Sequence, residues 1–353
     1  MTRILPALGA RLEAAVFAGV MGLPPVLQRL LARRPVVQDG QTLDTETQLM
    51  LRLQRLARDP GFSGQTIEQI RRDTRKQTRL ADGRQPIGAT RDLGVPGAEG
   101  ELPGRLYTPH GRVGSTEPAP LLLFIHGGGM VFGDLETHDA VCRLLAERSG
   151  ALVLAVAYRL APEHPFPAAV DDCWASLEWV AEHAETLGAD PERIAVGGDS
   201  AGGTLAAVCA LKAADAGVDL AFQLLIYPAT NLAEKSESRH LFGEGFLLTS
   251  DFVELANTSY VTGDHRVTDP LVSVQLTEKI PENLAPALVV TAGFDPLRDE
   301  GELYARTLAE AGVQVELRRY PGFIHGFVNV VGVGRSNRAA VAEIAAELKA
   351  ALA

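Results

Sequence analysis

A chain of 353 residues with 46% hydrophobic content can bury a large core, as one α/β domain with an added lid or as two domains. Its 33 Lys and Arg against 44 Asp and Glu leave a net charge of −11 without a basic block, which argues against nucleic acid or an anionic membrane as the main partner. Cys142, Cys173 and Cys209 are odd in number, widely spaced and set in apolar helical contexts, a pattern of buried free thiols rather than disulfides or a metal site, in keeping with a reducing cytoplasm.

The first apolar stretch covers residues 14–23, with Arg3 and Arg11 before it and Arg29, Arg33 and Arg34 after Pro24-Pro25. Glu13 adjoins it and no small-residue cleavage site follows, so an amphipathic helix of the mature protein is favoured over an export signal. The stretch is too short to span a bilayer, and contact with a membrane surface stays open. Residues 1–85 read as helical: apolar positions recur at helical spacing in 49–56 and more weakly in 66–79. Residues 89–95 and 102–108, joined by a Pro/Gly-containing turn, read as paired strands at an antiparallel edge.

Strand-like segments then follow at 121–125, 151–157, 193–197, 222–226, 287–291 and 313–319. Helical ones lie near 138–149, 169–186, 201–216, 299–311 and 336–351. Such alternation means a parallel sheet covered on both faces. One interval breaks the rhythm. Roughly sixty residues separate Pro228 from Ala287, far more than an ordinary connection. Within it, a segment at about 231–265 carries Phe246, Leu247 and Leu248 and a helical stretch over 251–260. With residues 1–85 it reads as a lid over the strand ends, because those apolar side chains want a surface to face; a mere surface excursion is the alternative.

The strand ends carry the chemistry. Gly198-Asp199-Ser200-Ala201-Gly202-Gly203 follows an apolar run and opens an alanine-rich helix, which is what a G-x-S-x-G nucleophile elbow requires. Upstream, residues 121–125 end in His126-Gly127-Gly128-Gly129, an HGGG-type oxyanion loop. Downstream, Asp295 and His325 each stand just past a predicted strand. The order Ser, Asp, His is that of the α/β-hydrolase fold, in which groups far apart in sequence gather at the carboxyl ends of strands.

In this reading Ser200 is the nucleophile and His325 its general base and acid. Asp295 orients the imidazole, with Asp299 as rival. The Ala201 N–H and two N–H groups of Gly127, Gly128 and Gly129 form the oxyanion hole; Gly128 and Gly129 are favoured. His126 braces that loop. Asp199 is expected to accept hydrogen bonds from nearby backbone or from Arg159 rather than contact a leaving group, since a carboxylate facing the hole would oppose the oxyanion. Tyr158 and Arg159 are expected to tie their loop to the same face. Met130, Val131, Phe132, Phe246, Leu247 and Phe327 are candidates for substrate-pocket walls, each equally readable as core.

Taken together, His126-Gly-Gly-Gly129, Tyr158-Arg-Leu-Ala-Pro-Glu163, Phe166-Pro-Ala168, the elbow, Asp295-Pro-Leu-Arg-Asp-Glu-Gly301 and His325-Gly-Phe327 resemble the hormone-sensitive-lipase-like family of bacterial carboxylesterases, in its GDSAGG branch. The resemblance spans roughly residues 85–350. It implies an α/β class, α/β-hydrolase fold: a mostly parallel central sheet with helices on both faces and a helical cap. That cap comes from the N-terminus (residues 1–85) and from the insertion after the sixth core strand, the catalytic domain being 86–353. It further implies a serine esterase for short- to medium-chain acyl esters, with no metal or other cofactor. An amidase, a lysophospholipase and a non-catalytic small-molecule binder are the alternatives. The expected partner is a small-molecule ester, with no nucleic acid and no integral membrane span; the sequence leaves the oligomeric state, a homodimer included, open.

Overall fold

The computed structural model describes residues 16–57, 61–83 and 85–353. Eight strands form the central sheet: β1 (Ala89–Gly97), β2 (Gly100–Thr108), β3 (Ala119–Ile125), β4 (Leu152–Val156), β5 (Ala189–Asp199), β6 (Phe222–Ile226), β7 (Ala287–Phe294) and β8 (Val315–Ile324). Their spatial order is β1-β2-β4-β3-β5-β6-β7-β8. β1 pairs antiparallel with β2, and β2 antiparallel with β4; every other pairing is parallel. This is the architecture that the alternating pattern predicts.

The central strand shows why both faces must be covered. All seven residues of β3 are buried. Leu121, Leu123 and Ile125 join one core, while Leu122 and Phe124 join the other, as the two-residue period of a strand demands. The first core is closed by α5 (Ala168–His183), α6 (Ala201–Ala216) and α9 (Arg298–Glu310); the second by α4 (Asp139–Ser149) and α10 (Ser336–Ala351).

Several strands outrun their predicted ends, β5 and β8 among them. β5 covers 189–199 rather than 193–197, and β8 runs to Ile324 rather than stopping at 319. Pro321 and Gly322 read as a break in sequence. β8 is an edge strand, however, where proline's missing N–H costs no ladder bond, and the register shift between Tyr320 and Ile324 absorbs the irregularity. The strand therefore delivers His325 directly at its end.

The N-terminal segment comprises α1 (Pro25–Ala32), a short hairpin (Val37–Gln38 with Gln41–Thr42), α2 (Thr45–Leu56) and α3 (Ile67–Ala81). Residues 16–21 are helical, within the apolar stretch read as a helix; the earlier part of that stretch lies outside the described residues. Asp44 caps α2 by accepting from the N–H groups of Glu46 and Thr47, each at 3.0 Å, and Thr66 with Gln69 forms a capping box on α3. The segment is tied to the rim of the sheet: Asp44 N–H donates to Gly322 O at 2.8 Å and Gln41 Nε2 to Gly293 O at 3.3 Å.

The insertion after β6 carries α7 (Glu237–Phe242) and α8 (Ser250–Tyr260). Arg239 forms a buried ion pair with Glu300 at 2.8 Å, and Ser238 N–H donates to Asp299 at 2.7 Å, so α7 is anchored beside the end of β7. The two added segments meet where the Phe62 and Phe252 rings lie 4.8 Å apart and Ser63 Oγ donates to Asp251 Oδ2 at 3.4 Å. Among the described residues, no helix is long and apolar enough to cross a membrane.

Candidate active site

Ser200 sits between β5 and α6 with φ 57° and ψ −124°, a backbone conformation that costs a non-glycine residue about 1–3 kcal/mol. The surroundings enforce it. Ser200 N–H donates to Ile226 O at 2.8 Å, and α6 begins at the next residue. A Cβ on Gly198 or Gly202 would stand 2.2 or 2.0 Å from Ile125 O, so neither position accepts a side chain. The turn thus holds the hydroxyl above the carboxyl end of β5.

The three residues brought together from separate strand ends are Ser200, Asp295 and His325. His325 Nε2 lies 2.8 Å from Ser200 Oγ, and His325 Nδ1 lies 2.7 Å from Asp295 Oδ2. Asp295 is fully buried, and its Oδ1 accepts the Leu297 N–H at 2.8 Å. Because the carboxylate can only accept, the imidazole proton sits on Nδ1 and the Nε2 lone pair faces the serine hydroxyl. Asp299 is engaged elsewhere, accepting from Ser238 N–H and Arg298 Nε.

The glycine loop follows β3. Gly128 and Gly129 have φ of 117° and 61°, and a Cβ on Gly128 would lie 2.1 Å from Phe132 O. Gly128 O accepts from the N–H groups of both Val131 and Phe132, which closes the loop on itself. Among the described residues, the N–H groups of Gly128, Gly129 and Ala201 meet no protein acceptor. Gly127 corrects the expectation made of it: its N–H donates to Asp199 Oδ1 at 2.8 Å and is not available to a substrate.

His126 braces this loop as expected. Its Nδ1 donates to Gly127 O at 2.8 Å, its ring stacks on Tyr158 at 4.3 Å, and Tyr158 O–H donates to His126 O at 2.9 Å. Burial, with His138 nearby, pulls the His126 pKa down to about 4, so the brace is neutral. Of the two partners expected for Asp199, the backbone one holds: it accepts from the Gly127 N–H, and also from Asn329 and Tyr227, while Arg159 turns instead to Asp172, with Nε at 2.8 Å.

The candidate pocket residues divide. Leu247 stands beside the histidine loop, its Cδ2 being 3.6 Å from where a Gly326 Cβ would be. Phe132 is partly buried and forms an aromatic cluster with Phe62 and Phe252 at 5.5 and 5.7 Å. Phe246 packs against Phe242 and Phe294, and Met130 and Val131 belong to the main core. Phe327 is 1% exposed and packs on Tyr227, Tyr320 and Phe323, so it is a core residue beneath the histidine loop rather than a wall facing substrate.

Phe62, Phe252 and Ala256 carry no sequence signal of a role at the site, yet Ala256 Cβ and Phe252 Cζ would lie 2.9 and 3.2 Å from a Gly129 Cβ. The helical pattern over 251–260 marks α8; nothing in the sequence says which of its faces meets the glycine loop. Two surface clefts, of about 350 and about 1010 Å³, lie between α3 and residues 132–143, and neither is lined by Ser200 or His325. Bond geometry, not cleft size, therefore locates the site.

An elbow serine, a buried Asp–His relay and unpaired loop N–H groups on this sheet define an α/β-hydrolase centre. The family profile for the α/β hydrolase fold matches residues 122–329. The carboxylic ester hydrolase LipN of Mycobacterium tuberculosis is 44% identical over 349 residues, 96% of this chain and 92% of the relative. An arylesterase of Saccharolobus solfataricus is 35% identical over 87% of this chain and 98% of its own. Among solved structures, an esterase of Pyrobaculum calidifontis is 39% identical with a TM-score of 0.79, covering 94% of this chain and 100% of that one. The chain belongs to the α/β-hydrolase family, and within it to the hormone-sensitive-lipase-like carboxylesterases.

Proposed function

We propose that this serine carboxylesterase hydrolyses short- to medium-chain esters through an acyl-enzyme on Ser200. Ser200 Oγ attacks the ester carbonyl while His325 Nε2 takes its proton. His325 then returns that proton to the departing alcohol, and a water activated by the same nitrogen cleaves the acyl-enzyme. Asp295 holds the imidazole tautomer and stabilises the imidazolium as it forms. The Gly128, Gly129 and Ala201 N–H groups receive the oxyanion, the loss of one such donor costing about 2.7–4 kcal/mol of transition-state stabilisation.

The observation that carries this reading is the unbroken relay from Ser200 through His325 to Asp295, at 2.8 and 2.7 Å, beside three N–H groups that meet no acceptor among the described residues. Residues 1–85 and 231–265 act as the cap, and Phe62, Phe132, Phe252 and Leu247 border the acyl or alcohol pocket; the contacts of Phe252 and Ala256 with Gly129 support that assignment. Three buried, free cysteines support a cytoplasmic location.

A panel of p-nitrophenyl esters of increasing acyl length, run before and after a serine-directed organophosphonate, tests the proposal. Turnover should peak at short to medium chains, stop on stoichiometric labelling, and leave the phosphonyl group on Ser200. Labelling of another residue, with turnover unchanged, would reject it.

A further inference from the structure

Asp199 adjoins the nucleophile and is 2% exposed, so an isolated negative charge there would oppose the oxyanion next door. The structure surrounds it with donors from four separate segments. Its Oδ1 accepts the Gly127 N–H of the glycine loop at 2.8 Å and lies 3.2 Å from His138 Nε2, at the start of α4. Its Oδ2 accepts from Asn329 Nδ2 at 3.1 Å, four residues past His325, and from Tyr227 O–H at 3.4 Å. The Tyr227 ring in turn lies 4.5 Å from the His325 ring. One carboxylate thus gathers the elbow, the glycine loop and the histidine loop.

The charge on His138 follows from its neighbours. Thr137 Oγ1 donates its only proton to Asp134 O at 2.9 Å, so toward His138 Nδ1, 3.0 Å away, it can only accept. Nε2 faces a carboxylate oxygen, and Asn329 Nδ2, 3.4 Å from that nitrogen, has its own hydrogens to place on Asp199. With the Thr137 proton on that carbonyl, both ring nitrogens face acceptors, which is the placement that an imidazolium requires. The other titratable groups around it are Asp134, Asp139 and Glu136 on its own segment, Asp82 after α3, and neutral His126, whose ring is 5.4 Å away. Burial opposes the charge on His138, but Asp199 and Asp134 outweigh it and hold its pKa above the ordinary imidazole value.

We propose that His138 and Asp199 form an ionised positioning pair. The carboxylate fixes the glycine loop and the histidine loop on the nucleophile, and the imidazolium cancels a charge that would otherwise destabilise the oxyanion. Neither residue touches substrate. The proposal rests on the Ser200 mechanism and adds to it a second Asp–His pair of different purpose.

The first test is a long-range proton–nitrogen spectrum of the full chain labelled with 15N-histidine, at about pH 8, well above the ordinary imidazole pKa of about 6.5. The His138 resonances should show two protonated nitrogens; a neutral tautomer would overturn the proposal. This spectrum of the unaltered protein needs no variant to fold and reads no activity, so its result does not depend on whether Ser200 is the nucleophile. The second is a double-mutant cycle, with kcat counted per site titrated by an organophosphonate. His138→Gln strands a buried carboxylate and should lower kcat by about 10²-fold, the size of losing one oxyanion donor, with KM little changed. Adding Asp199→Asn to the same chain should recover about tenfold of that loss, a coupling expected of residues in direct contact. Unchanged kcat in His138→Gln, or two losses that simply multiply, would overturn it.

Discussion

Two Asp–His pairs lie under the same strand ends, and they differ in where the second ring nitrogen points. In His325–Asp295 that nitrogen meets the Ser200 hydroxyl, which can surrender a proton. In His138–Asp199 it meets Thr137 Oγ1, whose proton is already donated to a backbone oxygen. The first pair can pass a proton on; the second can only hold one. The same two residue types therefore make a relay or a fixed ion pair according to a single neighbour.

The largest effects should fall on the relay. Ser200→Ala should lower kcat by about 10⁴-fold or more while the fold persists by circular dichroism. Asp295→Asn should cost about 10⁴-fold by favouring the wrong tautomer, whereas Asp299→Asn, whose carboxylate serves Ser238, should stay within a few-fold of the parent. Equal losses from the two aspartates would dissolve the distinction between them.

Next come the loop donors that both pairs serve. Gly128→Ala should lower kcat by about 10²-fold, the size of one oxyanion donor, because the added methyl meets Phe132 O at 2.1 Å and must turn the peptide. Steady-state kinetics per titrated site would show it, with a smaller change in KM.

Stability against pH separates the histidines of the interior. His138 has a raised folded pKa, so its contribution is fully present below 6.5 and is lost as pH rises through the raised value. Asp199 is held below 3.8 by His138 in spite of its burial, and its contribution is lost only as pH falls through that lowered value. His126, near 4 when folded and 6.5 unfolded, works the other way: the unfolded chain binds its proton first, so stability rises between those values. Urea unfolding should show the advantage of the parent over His138→Gln shrinking as pH climbs above 6.5. A constant difference would contradict the charged reading of His138.

The smallest effect belongs to the rim. Arg71 draws Glu163 down to about 2, yet Glu163 is largely exposed, so Glu163→Gln should change unfolding free energy by no more than about 1 kcal/mol. A larger change would show that α3 is held to the sheet chiefly by this pair.

Legibility follows the same division. Ser200, Asp295 and His325 can be read because each stands at a strand end with its own local spacing signal. Gly127 stays a possible donor in the sequence, behind Gly128 and Gly129, because its acceptor, Asp199, is 72 residues away and a loop's glycines look alike on paper. His138 escapes notice because it reads as the start of a helix, and its partner is fixed only when β3, β5 and α4 pack. Phe327 reads equally as pocket wall or core, because sequence shows an aromatic residue near a histidine and not the side of the chain on which it lies.

The sequence by itself determined the α/β alternation, the elbow and the chain order Ser, Asp, His, since these are written in apolar periods and in glycines that no other residue can replace. Tertiary structure alone decided which carboxylate serves which imidazole, which N–H groups stay unpaired, and which aromatic rings border the glycine loop. The physical reason is that hydrogen-bond partnership and burial depend on distances between segments, and those distances exist only once the sheet is assembled.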